Sequence, residues 1–341
     1  MPVNAWIGAH ASDLPLIWAA ILALAVAMYV LLDGFDLGVG TLFAVFPRES
    51  DRDTMMNSVA PFWDGNGTWL VLGGGGLMIA FPRAYAIILP ALYLPVIAML
   101  LALILRGVSF EFRWIAKPAH RVWDFAFCAG STLAAFCQGV VLGGLLQGIH
   151  VVDGRFAGGS FDWCTPFALF CGVSVVAGYA LLGACWLVMK TEGEVQARAR
   201  VHARTALFAM LACIGTVSLW TPWMLPRIAQ RWFALPNFYW LSQVPLATLV
   251  VAWLCWNGLR KQRTVQPFMA AIGLFLLAYL GLLISNVPYL VPPVMTIAQA
   301  SSAPESQRFL LAGTVVMLPV IIGYTVFVYW VFRGKVGEGY H

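Results

Sequence analysis

The sequence predicts an all-α protein that crosses a membrane about nine times as a single integral-membrane domain over residues 1–341. Two observations carry this. Hydrophobic residues make up 61% of the chain and charged residues only 10%, and apolar stretches of about 20 residues, the length that crosses a bilayer as a helix, recur from end to end. A soluble α/β chain would alternate apolar strands with charged amphipathic helices, whereas here charge is confined to short connectors. The opening run MPVNAWIGAHASDLP has no Lys or Arg ahead of its apolar continuation, so it lacks the basic start of a cleavable signal peptide. The first span is therefore expected to persist in the mature protein.

The spans fall at approximately 15–46, 55–81, 84–105, 122–148, 164–189, 203–226, 239–259, 265–290 and 309–332. Alternate connectors differ in basic charge. One set, containing Arg48 and Arg52, then Arg106 to Arg121, Lys190 to Arg204, Arg260 to Arg263, and Arg333 with Lys335, holds 15 of the 20 Lys and Arg residues. The opposite set holds Arg83, Arg155, Arg227, Arg231 and Arg308. The positive-inside bias then places the amino terminus outside and the carboxyl terminus in the cytoplasm, with Trp163, Trp220, Trp223, Trp232 and Trp240 at an outer aromatic belt. The net charge of +5 reflects cytoplasmic loops facing anionic lipid, and no basic–aromatic pattern points to nucleic acid.

The second span poses a question of length. If the DGNG of PFWDGNGTWLVLGGGG were a turn, Thr68–Phe81 would leave 14 apolar residues, short of the roughly 20 needed. The helix is thus expected to start near Met55, with Asp64 about 13 Å along its axis. The competing reading is a helix broken at Gly65–Gly67, which is tolerated only where protein or water covers the backbone. A charged Asp at mid-helix costs about 2.5–3.5 kcal/mol, so either way Asp64 is expected to face a partner, a cavity or a neighbouring chain.

In LLDGFDLGVG, Asp33 and Asp36 are three apart and share a helical face, while Gly34, Gly38 and Gly40 allow another helix to approach closely. With Asp124, which opens the fourth span, all four acids lie toward the cytoplasmic surface, as an intake path for protons or cations would. The plainer reading pairs interfacial acids with nearby Arg or with helix amino termini. The run Gly73–Gly76 lacks the Lys-Ser/Thr sequel of a phosphate loop and lies within a span, so it reads as a helix-packing surface. His10, His120, His150, His202 and His341 all fall in connectors, at chain ends or at cytoplasmic borders, which leaves no span with a histidine for axial haem ligation. The seven cysteines show no C-x-x-C spacing; Cys128, Cys137, Cys171, Cys185, Cys213 and Cys255 read as small apolar residues in helices, and Cys164 falls near the outer face without an obvious disulfide partner. No metal site is indicated.

DGFDLGVG, NSVAPFWDGNGTWLVLGGG, LRGVSFEFR, the QG of the fourth span and the closing FRGKV together resemble subunit II of the cytochrome bd quinol oxidases, over essentially the whole chain. SNVPYLVPP at 285–293 resembles the cyanide-insensitive branch; where many relatives carry Gln-Val before the tryptophan, this chain has Gly67 and Thr68. The resemblance implies two four-helix bundles plus one peripheral helix in a bacterial cytoplasmic membrane. It also implies pairing with a subunit I that holds haems b and d, quinol and oxygen as substrates of the complex, and room for a small accessory subunit. This chain itself would bind no cofactor. Asp64, with Asp36, Asp33 and Asp124, would belong to a proton path, and Trp69 and Trp63 would border an oxygen route or the subunit interface. A proton-coupled transporter and a purely architectural subunit are the rival readings.

Overall fold

The computed structural model describes residues 13–116 and 120–336. His10, His341 and Lys117, used above, lie outside the described residues. Among those described, eight helices are long and apolar enough to cross a membrane.

The first helix, α1 (Leu14–Leu42), runs into a 3-10 turn at Phe43–Val45. The short polar α2 (Glu49–Val59) and then α3 (Trp63–Ala80) follow. The expected helix starting at Met55 is corrected here: the chain turns at 60–62, and Asp64 sits in the first turn of α3. The breaker is Pro61, which cannot donate to the carbonyl four residues back and whose ring clashes with it. With 18 residues, of which six are glycine and two are Asp64 and Asn66, α3 falls short of the apolarity of the other spans.

Helix α4 (Pro82–Ile115) is bent at Leu92, just ahead of Pro95, and is 34 residues long. It therefore carries Arg106 and Arg113 as buried helical residues, where the sequence reading placed them in a connector. Next come α5 (His120–Gln147), a hairpin of β1 (Val151–Val152) and β2 (Arg155–Phe156), α6 (Pro166–Lys190) and α7 (Gly193–Met224). Two short helices, α8 (Pro226–Phe233) and α9 (Asn237–Leu241), lead into α10 (Gln243–Arg260) and α11 (Gln266–Asn286). A second hairpin, β3 (Tyr289–Val291) with β4 (Met295–Thr296), and α12 (Ile297–Ala300) precede the last helix, α13 (Pro304–Val331).

Neighbours in sequence pack together through α4, α5, α6 and α7, and α10 packs on α11. Helix α1 ties the assembly, lying against α6, α3 and α5, while α13 rests on α1 and α3 at the periphery. The glycine spacing of α1 is met by α6. A Cβ on Gly38 would stand 1.8 Å from the Tyr179 carbonyl oxygen, and one on Gly183 would stand 2.3 Å from the Gly38 carbonyl carbon. Backbone meets backbone here, as small residues permit in membranes. Gly38→Ala is expected to destabilise the protein by about 2–3 kcal/mol through overpacking, read as a lowered thermal midpoint; an unchanged midpoint would show that the crossing yields freely. The run Gly73–Gly76 behaves differently from its expectation. Only Gly76 is closely approached, by Leu22, because α13 and α1 cover one edge of α3 and leave Gly73–Gly75 open.

Candidate functional site

The longest continuous buried stretch of α1 is its polar one, Asp33 to Gly40. Burial of carboxylates in an apolar bundle demands partners; α4 and α3 supply them directly, and α13, α5 and α6 extend the network. Arg106 of α4 donates to Asp33 Oδ1 at 2.7 Å, with the two residues only 4% and 1% exposed. Asn66 of α3 donates through Nδ2 to Asp36 Oδ2 at 2.7 Å and to the Leu32 carbonyl at 3.1 Å. Tyr329 of α13 donates to Asn66 Oδ1 at 3.1 Å. One helical turn before Asp33, the Tyr29 hydroxyl accepts from Gln138 Nε2 at 2.9 Å, and Gln138 Oε1 accepts from Tyr179 at 2.6 Å.

This network is incompletely satisfied. Asp33 Oδ2, Asp36 Oδ1 and Arg106 Nε are all buried without a protein partner. Native interiors pair most such atoms, so orphans gathered in one place mark room for water or a transferable proton. Charge points the same way. Two carboxyl groups share one guanidinium, which leaves one acid without a counter-charge.

The cluster opens onto a surface groove of about 450 Å³, lined by Tyr29, Asp33, Trp63, Asp64 and Arg106 among others. Asp64 is exposed on the groove wall, at the positive end of α3, where a carboxylate is favoured. Trp63 stacks on Phe110 with centroids 4.9 Å apart and planes 7° from parallel. Trp69 points elsewhere: it is 1% exposed and packs with Ala25 and Tyr29 inside this chain.

Asp124 belongs to a second cluster. Arg113 Nε donates to Asp124 Oδ1 at 2.5 Å, Arg52 Nη1 to Asp124 Oδ2 at 2.9 Å, and Arg113 Nη1 to Asp53 at 2.6 Å. Asp33 and Asp64 thus line one groove, Asp36 lies buried three residues on along α1, and Asp124 is set apart. Sequence reasoning missed Arg106, Asn66, Tyr329, Tyr29 and Gln138. A signal existed for Arg106, since LRGVSFEFR follows an apolar run without a turn residue before the arginine. Tyr329 gave none, because nothing in a linear reading brings it beside residue 66.

A bundle of eight helices long and apolar enough to cross a membrane, with buried ionic side chains between them, defines a class, that of polytopic membrane proteins. The family model for cytochrome bd terminal oxidase subunit II matches residues 14–332. The chain is 30% identical to cytochrome bd ubiquinol oxidase subunit 2 of Bacillus subtilis (strain 168), covering 94% of this chain and 96% of that one. It is 28% identical to cytochrome bd-I ubiquinol oxidase subunit 2 of Escherichia coli (strain K12), covering 94% of each. Its fold is similar to a structure of bd oxidase from Geobacillus thermodenitrificans, with a TM-score of 0.76 at 16% identity over 94% of this chain and 98% of that chain. The chain belongs to the cytochrome bd terminal oxidase subunit II family. It is a multi-pass bacterial membrane protein and a subunit of an oxidoreductase complex.

Proposed function

We propose that this chain pairs with a haem-bearing subunit I in a quinol:oxygen oxidoreductase and supplies part of the path by which cytoplasmic protons reach the site of oxygen reduction. The observation that carries this reading is the unbalanced Asp33–Asp36–Arg106 cluster opening onto the groove beside Asp64. Asp36 holds a proton in the interior, and Asn66 and Tyr329 fix its carboxyl group. Arg106 offsets one negative charge while the other comes and goes. Asp64 exchanges protons with water in the groove and hands them across the wall that subunit I covers. A proton taken from the cytoplasmic side and consumed near the opposite side stores about 2.3 kcal/mol per 100 mV if it crosses the whole potential. Asp124, held by two guanidinium groups, anchors the α2, α4 and α5 ends rather than relaying.

His120 is paired with Glu49, His202 lies beside Phe46, and His150 is exposed in a connector; among the described residues no three His, Cys, Asp or Glu side chains converge. We assign haems b and d to subunit I, as the resemblance to the family implies, and the redox chemistry with them. The basic excess described above, which persists when the buried Arg106 and Arg113 are left out, supports a carboxyl terminus in the cytoplasm.

Asp64→Asn is expected to slow quinol-driven oxygen uptake by about tenfold, since water in the groove substitutes only in part for a lost general acid–base group, with the reduced-minus-oxidised haem spectrum preserved. A colourless chain that purifies alone and moves solute would overturn the oxidase reading. Full uptake in Asp64→Asn would overturn the residue's role alone.

A further inference from the structure

At the end of the bundle opposite the Arg113–Asp124 cluster, α8 lies across the last turn of α11. Arg231 donates through Nη1 to the carbonyls of Ile284, at 2.6 Å, and of Val287, and Trp232 Nε1 donates to Ser285 Oγ at 2.9 Å. A basic side chain on the final carbonyls of a helix suits both its dipole and its unpaired acceptors. Because both bonds use one nitrogen, the other N–H donors of the guanidinium remain for whatever enters the cleft that Arg231 lines. That cleft, about 440 Å³, is also lined by Asn237, Trp240, Leu283 and Ile284, and no acidic side chain lines it.

We propose that this cleft is a binding site for the phosphodiester headgroup of a membrane phospholipid. Three features select that ligand. Arg matches phosphate oxygens with paired, charge-assisted donors. Trp240, 77% exposed, shares its short helix with exposed Phe238 and Tyr239, an aromatic group suited to the headgroup level of a bilayer. Below the cleft, Leu276, Leu280 and Leu283 follow one another at helical spacing on α11, the first two being 46% and 44% exposed. They form an apolar stripe leading away from Arg231 along which an acyl chain can lie. A soluble anion would use the guanidinium and leave the stripe bare, and a neutral lipid would use the stripe and leave the guanidinium without a counter-charge.

Native mass spectrometry of the detergent-washed complex tests the site. The wild type, supplied with phosphatidylglycerol, is expected to retain it. Arg231→Gln is expected to lower retention about tenfold, as the loss of a charge-assisted contact predicts. Trp240→Ala, which leaves the Arg231 bonds to the α11 carbonyls in place, carries the test if Arg231→Gln fails to assemble, and is expected to lower retention in the same direction. Trp223→Ala, exposed at the same border but outside the cleft, is expected to retain the lipid. Dioleoylglycerol, which has no phosphate, is not expected to be held. Equal retention of phosphatidylglycerol by wild type and Trp240→Ala, or of dioleoylglycerol and phosphatidylglycerol by wild type, would overturn the proposal.

Discussion

Arg106→Leu is expected to cost about 3–5 kcal/mol of stability, because it removes one partner of a buried ion pair and leaves the other without compensation. Asp33 is 1% exposed and accepts from Arg106 at 2.7 Å, its one ion pair among the described residues. Asp36 stands three residues on along the same helix. Without the guanidinium, two acids would lie in one low-dielectric space with no positive charge among their contacts. Arg106→Lys is expected to retain charge but lose part of the stability, because an ammonium is a point charge on a flexible stem and not a planar fork. The double replacement Arg106→Leu with Asp33→Leu is expected to recover most of the loss, since exchanging a whole buried pair for apolar groups is close to neutral. Thermal unfolding of the purified complex measures all three. An Arg106→Leu complex within about 1 kcal/mol of wild type would show that the pair is solvated or replaced on assembly.

Asp36→Asn is expected to reduce quinol-driven oxygen uptake by roughly 10²-fold, within the range lost when a positioned acid–base group is removed. The substitution is nearly isosteric. An Asn carbonyl oxygen at that position can still accept from Asn66 Nδ2, the bond now made at 2.7 Å by Asp36 Oδ2. Tyr329 and Leu32 can keep their contacts with Asn66. What is lost is the capacity to hold and release a proton in a place that bulk water does not reach, Asp36 being 1% exposed. The effect therefore exceeds that of Asp64→Asn, whose side chain stands in an open groove. Haem spectra and the thermal midpoint should remain near wild type. A complex that loses its haem or its partner in Asp36→Asn would identify the residue as a packing element, and unchanged uptake with intact spectra would remove it from the proton path.

Much of the site was legible in the chain itself. Asp33 and Asp36, spaced at three residues among glycines, announced a polar face on an apolar helix, and the structure buries that face. Asp64 was marked by the cost of an acid in a span too short to spare residues for a turn. Its place in the helix was misjudged because length was weighed against DGNG while Pro61, the residue that ends α2's run, was not weighed at all. Arg106 and Arg113 were counted as connector charge for the same kind of reason. A hydropathy reading closes a span at the first arginine, but a helix long enough to pass the bilayer continues wherever a buried carboxylate pairs with that arginine.

Composition and periodicity by themselves determined the class of fold, the apolar helices and the acids that need shelter, because the bilayer imposes one constraint on every residue within it and each residue answers that constraint separately. Only the tertiary structure decided which acid meets which base. The pairing of residue 33 with 106, and of residues 36, 66 and 329 in series, depends on how α1, α3, α4 and α13 cross, and crossing is set by backbone approach at positions such as Gly38 and Gly183. Shape complementarity between helices is a property of pairs of surfaces, and no linear pattern carries it.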